Sequence, residues 1–497
     1  MTTIHHIPAE IWDYIVQLLS YRHQRNALSI SKKFHELARR YIFRSLRIYL
    51  VTNTYLTHFR DRSTSLTNSS HDGDDDDDPM AGSTSHRLMR RSWELLKRII
   101  NDPGFASLVK ELAIVIEREG DCMFELFTLK DALACLHHLE VVHWYSGSVS
   151  LSSGIASAFP TSLRALRLRS MPPFPSVMHL SGLRDVQFVN VLPIVNVLSS
   201  DSTHRWGIDH GLEPDIQDLI QLVAPNLARL VIPHEMTEKL PMHALTNLTE
   251  LEVVCLWGSE LKGLDLLLRH LPNLRGLVVI GEVTEDTILE LPLDPTILPQ
   301  LSSFRLQFPA LLDCNNQDIM CRLCIFLSQR QGLRRLFLTL EAFEPDGFHQ
   351  VFEQVCRMYH LRALGFLLNY PIQNEQQFQR LVQFMPSNLR AIHLAIDWRA
   401  GFDLGSPMFD PLLNRFAYMP KLTFVNLDTL TCKVPIDPDD IAGYGRNVEM
   451  VGVGRSLWDV ERTEEGFELL PRAPWQSEFP MKGDFVDADH EWVYRYH

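Results

Sequence analysis

Apolar residues along most of the chain follow one short pattern, in which an apolar anchor is followed by apolar residues three and five positions later. Leu274, Leu277 and Val279 show the pattern in its simplest form. Positions three and five after the anchor share one face of a β-strand, because side chains of a strand alternate between its faces. The preceding run, 261–271, has leucines at spacings of three and four, which predicts an amphipathic helix. The unit is therefore a helix, a Pro-Asn turn and a short strand.

The same unit recurs along the chain, which is typical of a repeat architecture. Leucine-rich repeats are about 20–29 residues long, and each copy buries its apolar face only against its neighbours. We assign thirteen anchors, most of them at or near this spacing, with one longer gap between Leu183 and Leu227. The sequence therefore predicts an α/β fold, a leucine-rich-repeat solenoid with parallel strands on the concave face and helices on the convex face. The anchors are Val109, Leu136, Leu163, Leu183, Leu227, Leu248, Leu274, Leu301, Leu333, Leu361, Leu389, Leu422 and Val448.

These patterns divide the chain into four predicted segments. Residues 1–50 form a helical unit, and 51–86 form a linker that is acidic and disordered from about residue 61. Residues 87–456 hold the solenoid of about 13 repeats. Residues 457–497 leave the repeat pattern and form an aromatic, acidic C-terminal tail. We expect the tail to cover the open apolar end of the last repeat, with a partner-binding tail as the alternative.

The net charge of -14 is distributed unevenly. Residues 61–86 carry seven acidic and one basic residue, and 459–497 carry ten acidic and four basic residues. The repeats show no basic stripe, which argues against nucleic acid as the main ligand. No run of about 18 apolar residues predicts a transmembrane helix, and the first residues lack the pattern of a secretory signal. These features favour a cytoplasmic or nuclear protein without membrane contact.

The segment 1–50 is predicted to contain three short helices. Pro8 suits the first turn of the first helix, and Ser31 suits the N-cap of the third. A unit of this size is marginal for independent folding. Its helices carry apolar residues on more than one face, which favours a docking module that completes its core on a partner. A helical cap that seals the first repeat is the alternative.

Three motifs of this unit carry a family resemblance. They are Ile7-Pro8-Ala9-Glu10-Ile11, Ile30-Ser31-Lys32-Lys33-Phe34 and Tyr41-Ile42-Phe43. Residues 4–48 resemble an F-box, with Ile7 in place of the usual Leu and Phe34 in place of the commoner Trp. F-box domains bind the Skp adaptor of cullin–RING ubiquitin ligases, so the resemblance implies the Skp adaptor and a cullin complex as partners. It places seven residues at or behind the adaptor interface: Ile7, Pro8, Ile11, Ile15, Leu28, Ile30 and Phe34.

No pattern in the sequence predicts catalysis. The chain has no Walker A, G-x-S-x-G, H-E-x-x-H or EF-hand motif. Cys321 and Cys324 form the single C-x-x-C, without a second Cys or His pair at zinc spacing. Reduced thiols fit better than a metal or redox site. We therefore predict no catalytic residue, no metal and no cofactor.

The repeats instead predict a binding surface for a protein substrate. Residues two, four and six positions after an anchor face the concave side of the sheet. Arginine and aromatic residues are the usual anchors of interfaces, although each one could also be a solvated surface side chain. The predicted substrate-binding residues, two of them just past strand ends, are Trp144, Arg167, Arg169, Glu252, Arg305, Phe337, His393 and Trp398.

Together these features predict the substrate-recognition subunit of a Skp–cullin–F-box ubiquitin ligase. The F-box would dock to the adaptor, and the concave face would hold the substrate near the ubiquitin-conjugating enzyme. The contribution of the chain would be proximity and orientation rather than covalent chemistry. A leucine-rich-repeat scaffold without a ligase link is the main alternative, and a regulator of small GTPases is a further one.

Overall fold

The computed structural model describes residues 8–19, 21–51, 79–117, 123–146, 151–168, 176–188, 213–255, 263–281, 291–307, 316–339, 345–368, 375–396, 409–428, 434, 436–454, 456–472, 485 and 487–494. The chain forms two compact units. The first comprises 1–190 and 207–227, and the second comprises 191–206 and 228–497. Within each unit the strands follow one another in chain order, which confirms the predicted α/β repeat pattern.

Three short helices open the first unit: α1 (Ala9–Leu18), α2 (Tyr21–Ile30) and α3 (Lys32–Ile42). The Ser31 hydroxyl accepts a hydrogen bond from the Phe34 backbone N–H at 3.3 Å, which confirms Ser31 as the N-cap of α3. The helices enclose a small core, and Trp12 packs edge-on against Phe34 with ring centres 5.1 Å apart. The buried core residues are Val16, Ala27, Leu37, Ala38 and Ile42.

Among its described residues, the first unit has five parallel strands: β1 (Ser45–Val51), β2 (Glu111–Glu117), β3 (Val141–Ser146), β4 (Ala165–Leu168) and β5 (Asp185–Phe188). The helical segments of this unit beyond α3 are Pro79–Asn101, Pro103–Ala106, Met123–Cys135, Ser153–Ala156, Glu213–Val223 and the 3₁₀ turn Ala224–Asn226.

Strand β1 lies within the segment that the sequence analysis gave to the helical unit. Leu46, Ile48 and Leu50 are buried at alternate positions, which is the pattern of a strand. The backbone N–H of Tyr49 donates to the hydroxyl of Ser92 on helix Pro79–Asn101 at 2.8 Å. The sheet therefore begins well before Val109, the first predicted anchor, and part of the predicted linker 51–86 is helical.

One predicted anchor is out of register. Val142 and Trp144 of β3 pair with Leu112 and Ile114 of β2 on the core face of the sheet. These positions lie three and five places after Leu139, not after Leu136 as predicted. Trp144 was expected just past the end of a strand, but it lies inside β3 and is only 1 % exposed. Both leucines are buried, so burial alone did not distinguish them.

In the part of the second unit that the structure describes, nine parallel strands follow one another: β6 (Arg229–Pro233), β7 (Glu250–Cys255), β8 (Gly276–Gly281), β9 (Ser303–Gln307), β10 (Arg335–Thr339), β11 (Ala363–Leu368), β12 (Ala391–Ile396), β13 (Phe424–Asp428) and β14 (Met450–Val453). The helical segments that alternate with them are His234–Lys239, Met242–Ala244, Leu264–Arg269, Asn316–Ser328, Pro345–Cys356, Glu375–Gln383, Asp410–Ala417 and Pro438–Tyr444.

Each repeat is joined to the previous one at the turn before its strand. After the anchor Leu274, the backbone N–H groups of Arg275 and Gly276 both donate to the Thr249 carbonyl, at 2.7 and 2.9 Å. The Asn273 side-chain amide donates to the Thr246 carbonyl at 2.9 Å. This bond explains why asparagine so often precedes an anchor. The same bond is made to the preceding repeat by Asn226, Asn388 and Asn447.

The tail departs from the repeats in two steps. Strands β15 (Ser456–Thr463) and β16 (Gly466–Pro471) add to β14 as an antiparallel pair, so they cover the edge of the last parallel strand. Helix Ala488–Tyr494, which we call the tail helix, then packs on the concave side of the sheet. The tail therefore does more than cover the end of the last repeat.

Candidate functional site

The concave face of the second unit is occupied by the tail helix and Phe485. Small residues at the outward positions of β11 and β12, such as Ala363, Ala391 and Ala395, leave room for this helix against the sheet. Its aromatic side chains fill that room, so the contact forms a second apolar layer. The buried residues of this layer are Phe337, Ala363, Leu367, Ala391, Ala395, Phe424, Met450, Leu457, Phe485, Trp492, Val493 and Tyr494.

Two predicted substrate-binding residues, Arg305 and Phe337, lie beneath the tail helix. The Arg305 guanidinium carbon lies 3.6 Å from the centre of the Phe337 ring, and its Nη1 donates to the Trp492 carbonyl at 3.4 Å. Its Nε donates to Gln307 Oε1 at 3.0 Å. Both predicted residues are buried, which differs from the predicted exposed surface. A charge in this position is stabilised by the ring face and by these acceptors.

Gly365 provides the space in which the Phe337 ring lies. A Cβ atom at this position would overlap Cδ2 of Phe337. We therefore expect Gly365→Ala to displace the ring that stacks on Arg305 and to lower the free energy of unfolding by about 1–3 kcal/mol. Urea denaturation of the purified chain measures this. Gly332→Ala is the matched control, because a Cβ atom added there would meet no other atom within 4 Å. An equal loss in both variants would contradict the expectation.

His393 and His490 are polar residues of the same covered face. His393 Nδ1 accepts a hydrogen bond from the Asn426 amide at 2.8 Å. His490 lies in the tail helix, where its Nε2 is 2.7 Å from Thr423 Oγ1 and its ring stacks on Phe424. Burial lowers the pKa of His490 to about 4, so this imidazole is neutral at pH 7.

A polar row crosses β2 to β5 on the concave side of the first unit. His143 Nε2 lies 2.9 Å from Glu111 Oε1, and its Nδ1 lies 3.4 Å from Nη1 of Arg167. Arg167 in turn lies 3.9 Å from Asp185. A guanidinium only donates, so Nδ1 accepts and the proton lies on Nε2. Arg167, a predicted substrate-binding residue, is thus held between two neighbouring strands.

Burial sets the charge state of this row. It lowers the pKa of His143 to about 4, and the positive charge of Arg167 acts in the same direction. Burial alone would raise the pKa of Glu111, but the hydrogen bond with His143 and the Arg167 charge hold that pKa below its usual value. The row is therefore a neutral histidine between an anionic and a cationic neighbour.

The remaining predicted substrate-binding residues are placed differently. Glu252 is buried on the concave side of β7. Arg169 and Trp398 lie outside the described residues. The predicted set is therefore not brought together into one exposed surface, and whether its members contact a substrate stays a prediction.

The structure reveals a row of arginines that the sequence analysis missed. Arg275, Arg334, Arg362 and Arg390 each follow an anchor directly, at the N-terminal ends of β8, β10, β11 and β12. The concave positions predicted from the sequence lie two, four and six places after each anchor, so the first position was not among them. We call these four residues the arginine row. A basic residue at the same position after Leu163 and Leu183 is the signal that could have revealed it.

A cavity of about 250 Å³ lies beside the arginine row. Five arginines and three carboxylates line it, a formal excess of two positive charges. Two of the arginines are neutralised, since Arg229 pairs with Glu250 at 3.1 Å and Arg335 pairs with Asp489 at 2.6 Å. Asp489 and Trp492 of the tail helix also line this cavity, so it lies at the edge of the covered face.

The adaptor-binding residues predicted from the F-box resemblance lie on the three N-terminal helices. Ile11 and Ile30 are exposed, as is Pro8 at the start of α1. Ile15, Leu28 and Phe34 are half-buried against the small core. Ile7 lies outside the described residues. Tyr14, which the sequence analysis did not select, is exposed one turn after Ile11.

Cys321 and Cys324 lie on helix Asn316–Ser328 as free thiols. Burial and the neighbouring Cys321 raise the pKa of Cys324 to about 11, which is opposite to the shift of a reactive thiolate. Within the described residues, no group of three or more His, Cys, Asp or Glu side chains is arranged to hold a metal ion. None of the described helices has the length and apolar character needed to cross a membrane.

No protein-family profile matches this chain, and no curated protein sequence matches it. Solved structures with some similarity include an internalin from Listeria monocytogenes, 14 % identical with a TM-score of 0.29, over 72 % of this chain and 94 % of that one. A TLR13–ssRNA13 complex is 15 % identical with a TM-score of 0.29, over 72 % of this chain and 48 % of that one. Internalin C2 from the same bacterium is 13 % identical with a TM-score of 0.22, over 42 % and 73 %. Similarity this low transfers no partner to this chain.

Proposed function

We propose that this chain is the substrate-recognition subunit of a Skp–cullin–F-box ubiquitin ligase. The observation that carries the proposal is the exposed apolar surface of the N-terminal helices. Ile11 and Tyr14 lie one turn apart on α1 and are 50 % and 60 % exposed, and Ile30 at the end of α2 is 65 % exposed. Large exposed apolar side chains beside so small a core favour a docking face for another protein. The F-box resemblance of residues 4–48 favours the Skp adaptor as that protein.

The N-terminal helices and the repeats then have separate roles. Helices α1 to α3 bind the adaptor and so reach the cullin complex, in the cytoplasm or the nucleus. The repeats bind a protein substrate and hold it near the conjugating enzyme. The chain itself catalyses no covalent step, and its contribution is the local concentration of the substrate.

Co-expression with the Skp adaptor tests this proposal. The unmodified chain is expected to co-purify with the adaptor, and the double variant Ile11→Glu, Tyr14→Glu is expected to lose it. Two buried carboxylates at an apolar interface cost several kcal/mol, so the loss is at least about 100-fold in affinity. The matched control is Tyr359→Glu, Tyr418→Glu, because these tyrosines are 76 % and 77 % exposed in the second unit.

Retention of the adaptor by the α1 variant, or no co-purification of the unmodified chain, would refute the ligase role. Circular dichroism of each variant establishes that its helices are intact. A chain that lacks adaptor binding but still captures a protein through α1 would instead be a repeat scaffold without a ligase link.

A further inference from the structure

We propose that the arginine row and its cavity bind an acidic peptide segment of a partner protein. If the chain is a ligase subunit, this segment is the recognition element of its substrate, and to that extent the inference rests on the proposed function. The binding itself is a property of the second unit, so it is measured independently of the adaptor.

The spacing of the row suits an extended chain. Arg335, Ala363 and Ala391 pair in register across β10, β11 and β12. Arg334, Arg362 and Arg390 directly precede them, so these three arginines lie at the starts of adjacent strands, about 4.8 Å apart at the backbone. Arg275 directly precedes β8, which lies two strands before β10. A peptide that crosses the strand ends would meet a guanidinium at almost every strand.

The protein's own tail shows the chemistry that this surface accepts. Asp487 Oδ2 lies 3.4 Å from Arg390, and Asp489 Oδ1 lies 2.6 Å from Arg335. The two aspartates are separated by a single position in the sequence and are followed by Trp492, which lines the cavity. Carboxylates at alternate positions next to an aromatic anchor therefore fit this side of the sheet.

The cavity-facing part of the row is still available. Arg334 and Arg362 are exposed and line the cavity together with Arg275. Within the part of the chain that the structure describes, no carboxylate pairs with Arg334 or Arg362. Arg275 contacts the neutral side chain of Gln300, at 3.4 Å. Three guanidinium groups around a cavity of about 250 Å³ have room for anionic side chains and for the ordered water that accompanies them.

These features favour a peptide over a nucleic acid. The row is short, and only three of its guanidinium groups line the cavity, so it offers few contacts to a continuous phosphate backbone. A peptide with a few separated acidic groups matches that number of guanidinium groups. Aspartate, glutamate and phosphoserine share this oxyanion chemistry, and arginine binds all three through paired N–H donors.

Fluorescence anisotropy with the full chain tests the inference. The probes are a labelled peptide with aspartate at three alternate positions, its phosphoserine counterpart and its asparagine counterpart. We expect the two anionic peptides to bind, the asparagine peptide not to bind, and affinity to fall as salt is raised. Arg334→Glu, Arg362→Glu is expected to weaken binding by about tenfold or more. Arg322→Glu, Arg357→Glu is the matched control, with the same change of charge at exposed arginines that do not line the cavity.

Three results would overturn the inference. Equal weakening by both pairs of substitutions would mean that only net charge matters. Competition by inorganic phosphate at the same concentration as the peptide would mean a simple phosphate site. Binding of a poly(U) oligonucleotide in place of the peptide, with the same dependence on Arg334 and Arg362, would mean an RNA site. Adaptor co-purification of the Arg334→Glu, Arg362→Glu variant separates this question from the ligase role, since it should be unchanged.

Discussion

Replacing Trp492 by alanine is expected to lower the free energy of unfolding of the second unit by about 3–5 kcal/mol. Trp492 is 7 % exposed, and it packs with Val493 and Tyr494 against the concave side of β10 to β14. Its removal leaves a cavity over Arg305 and Phe337, both of which are fully buried beneath the tail helix. The loss therefore combines missing apolar contact with a poorly covered guanidinium.

Guanidinium chloride denaturation, followed by circular dichroism, measures this change. Tyr418→Ala is the control, since an aromatic ring that is 77 % exposed contributes within about 0.5 kcal/mol. A Trp492→Ala variant as stable as the Tyr418→Ala variant would show that the tail helix does not rest on the sheet in solution. Such a result would also return Arg305, Phe337 and His393 to the exposed concave face that the sequence predicts.

Mild acid is expected to destabilise both units through one buried histidine in each. The pKa values of His143 and His490 are lowered from the usual 6.5 to about 4. Unfolding frees each imidazole to bind a proton at any pH below about 6.5, whereas the folded chain resists protonation until about 4. The unfolded state thus binds more protons in this window, so stability falls as pH falls. Each histidine removes about 2 kcal/mol between pH 7 and pH 5.

Denaturation midpoints at pH 7, 6 and 5 test this dependence. Glu111 contributes little in this range, because its lowered pKa and its usual value both lie below pH 5. His143→Asn and His490→Asn should each flatten the pH profile of the unit that contains the residue, at some loss of stability at pH 7. An unchanged slope in either variant would contradict the assignment of a buried, neutral imidazole to that position.

The recurring apolar positions predicted the core of the repeats. Burial of Leu274, Leu277 and Val279 depends only on the alternation of side chains between the two faces of a strand. The same reasoning failed at β3, where Leu136 and Leu139 both fit an anchor and only strand pairing distinguishes them. Trp144 was misplaced as a consequence. Strand β1 was missed because its apolar residues directly follow the helices of the N-terminal segment. The sequence after it, 52–78, lacks the apolar pattern of the repeats, so nothing indicated that a repeat had begun.

The candidate site was less predictable, since it depends on contacts between distant parts of the chain. Arg305 and Trp492 are 187 positions apart, and no local pattern connects them. The small residues Ala363, Gly365, Ala391 and Ala395 leave room on the outward face of β11 and β12, but the sequence alone does not show which distant segment fills it. The arginine row could have been predicted from the sequence, because arginine recurs directly after several of the anchors.

The tail helix follows β14 in the sequence, and this order has a consequence for biosynthesis. The repeats from β9 onward can form as soon as they leave the ribosome, since each pairs with its predecessor. Their concave apolar strip, however, stays uncovered until residues 488–494 have been made. At about 5–20 residues per second, the nascent chain presents this strip for several seconds after β14 is complete. A chaperone that binds short apolar segments during translation would protect the chain from aggregation in that interval.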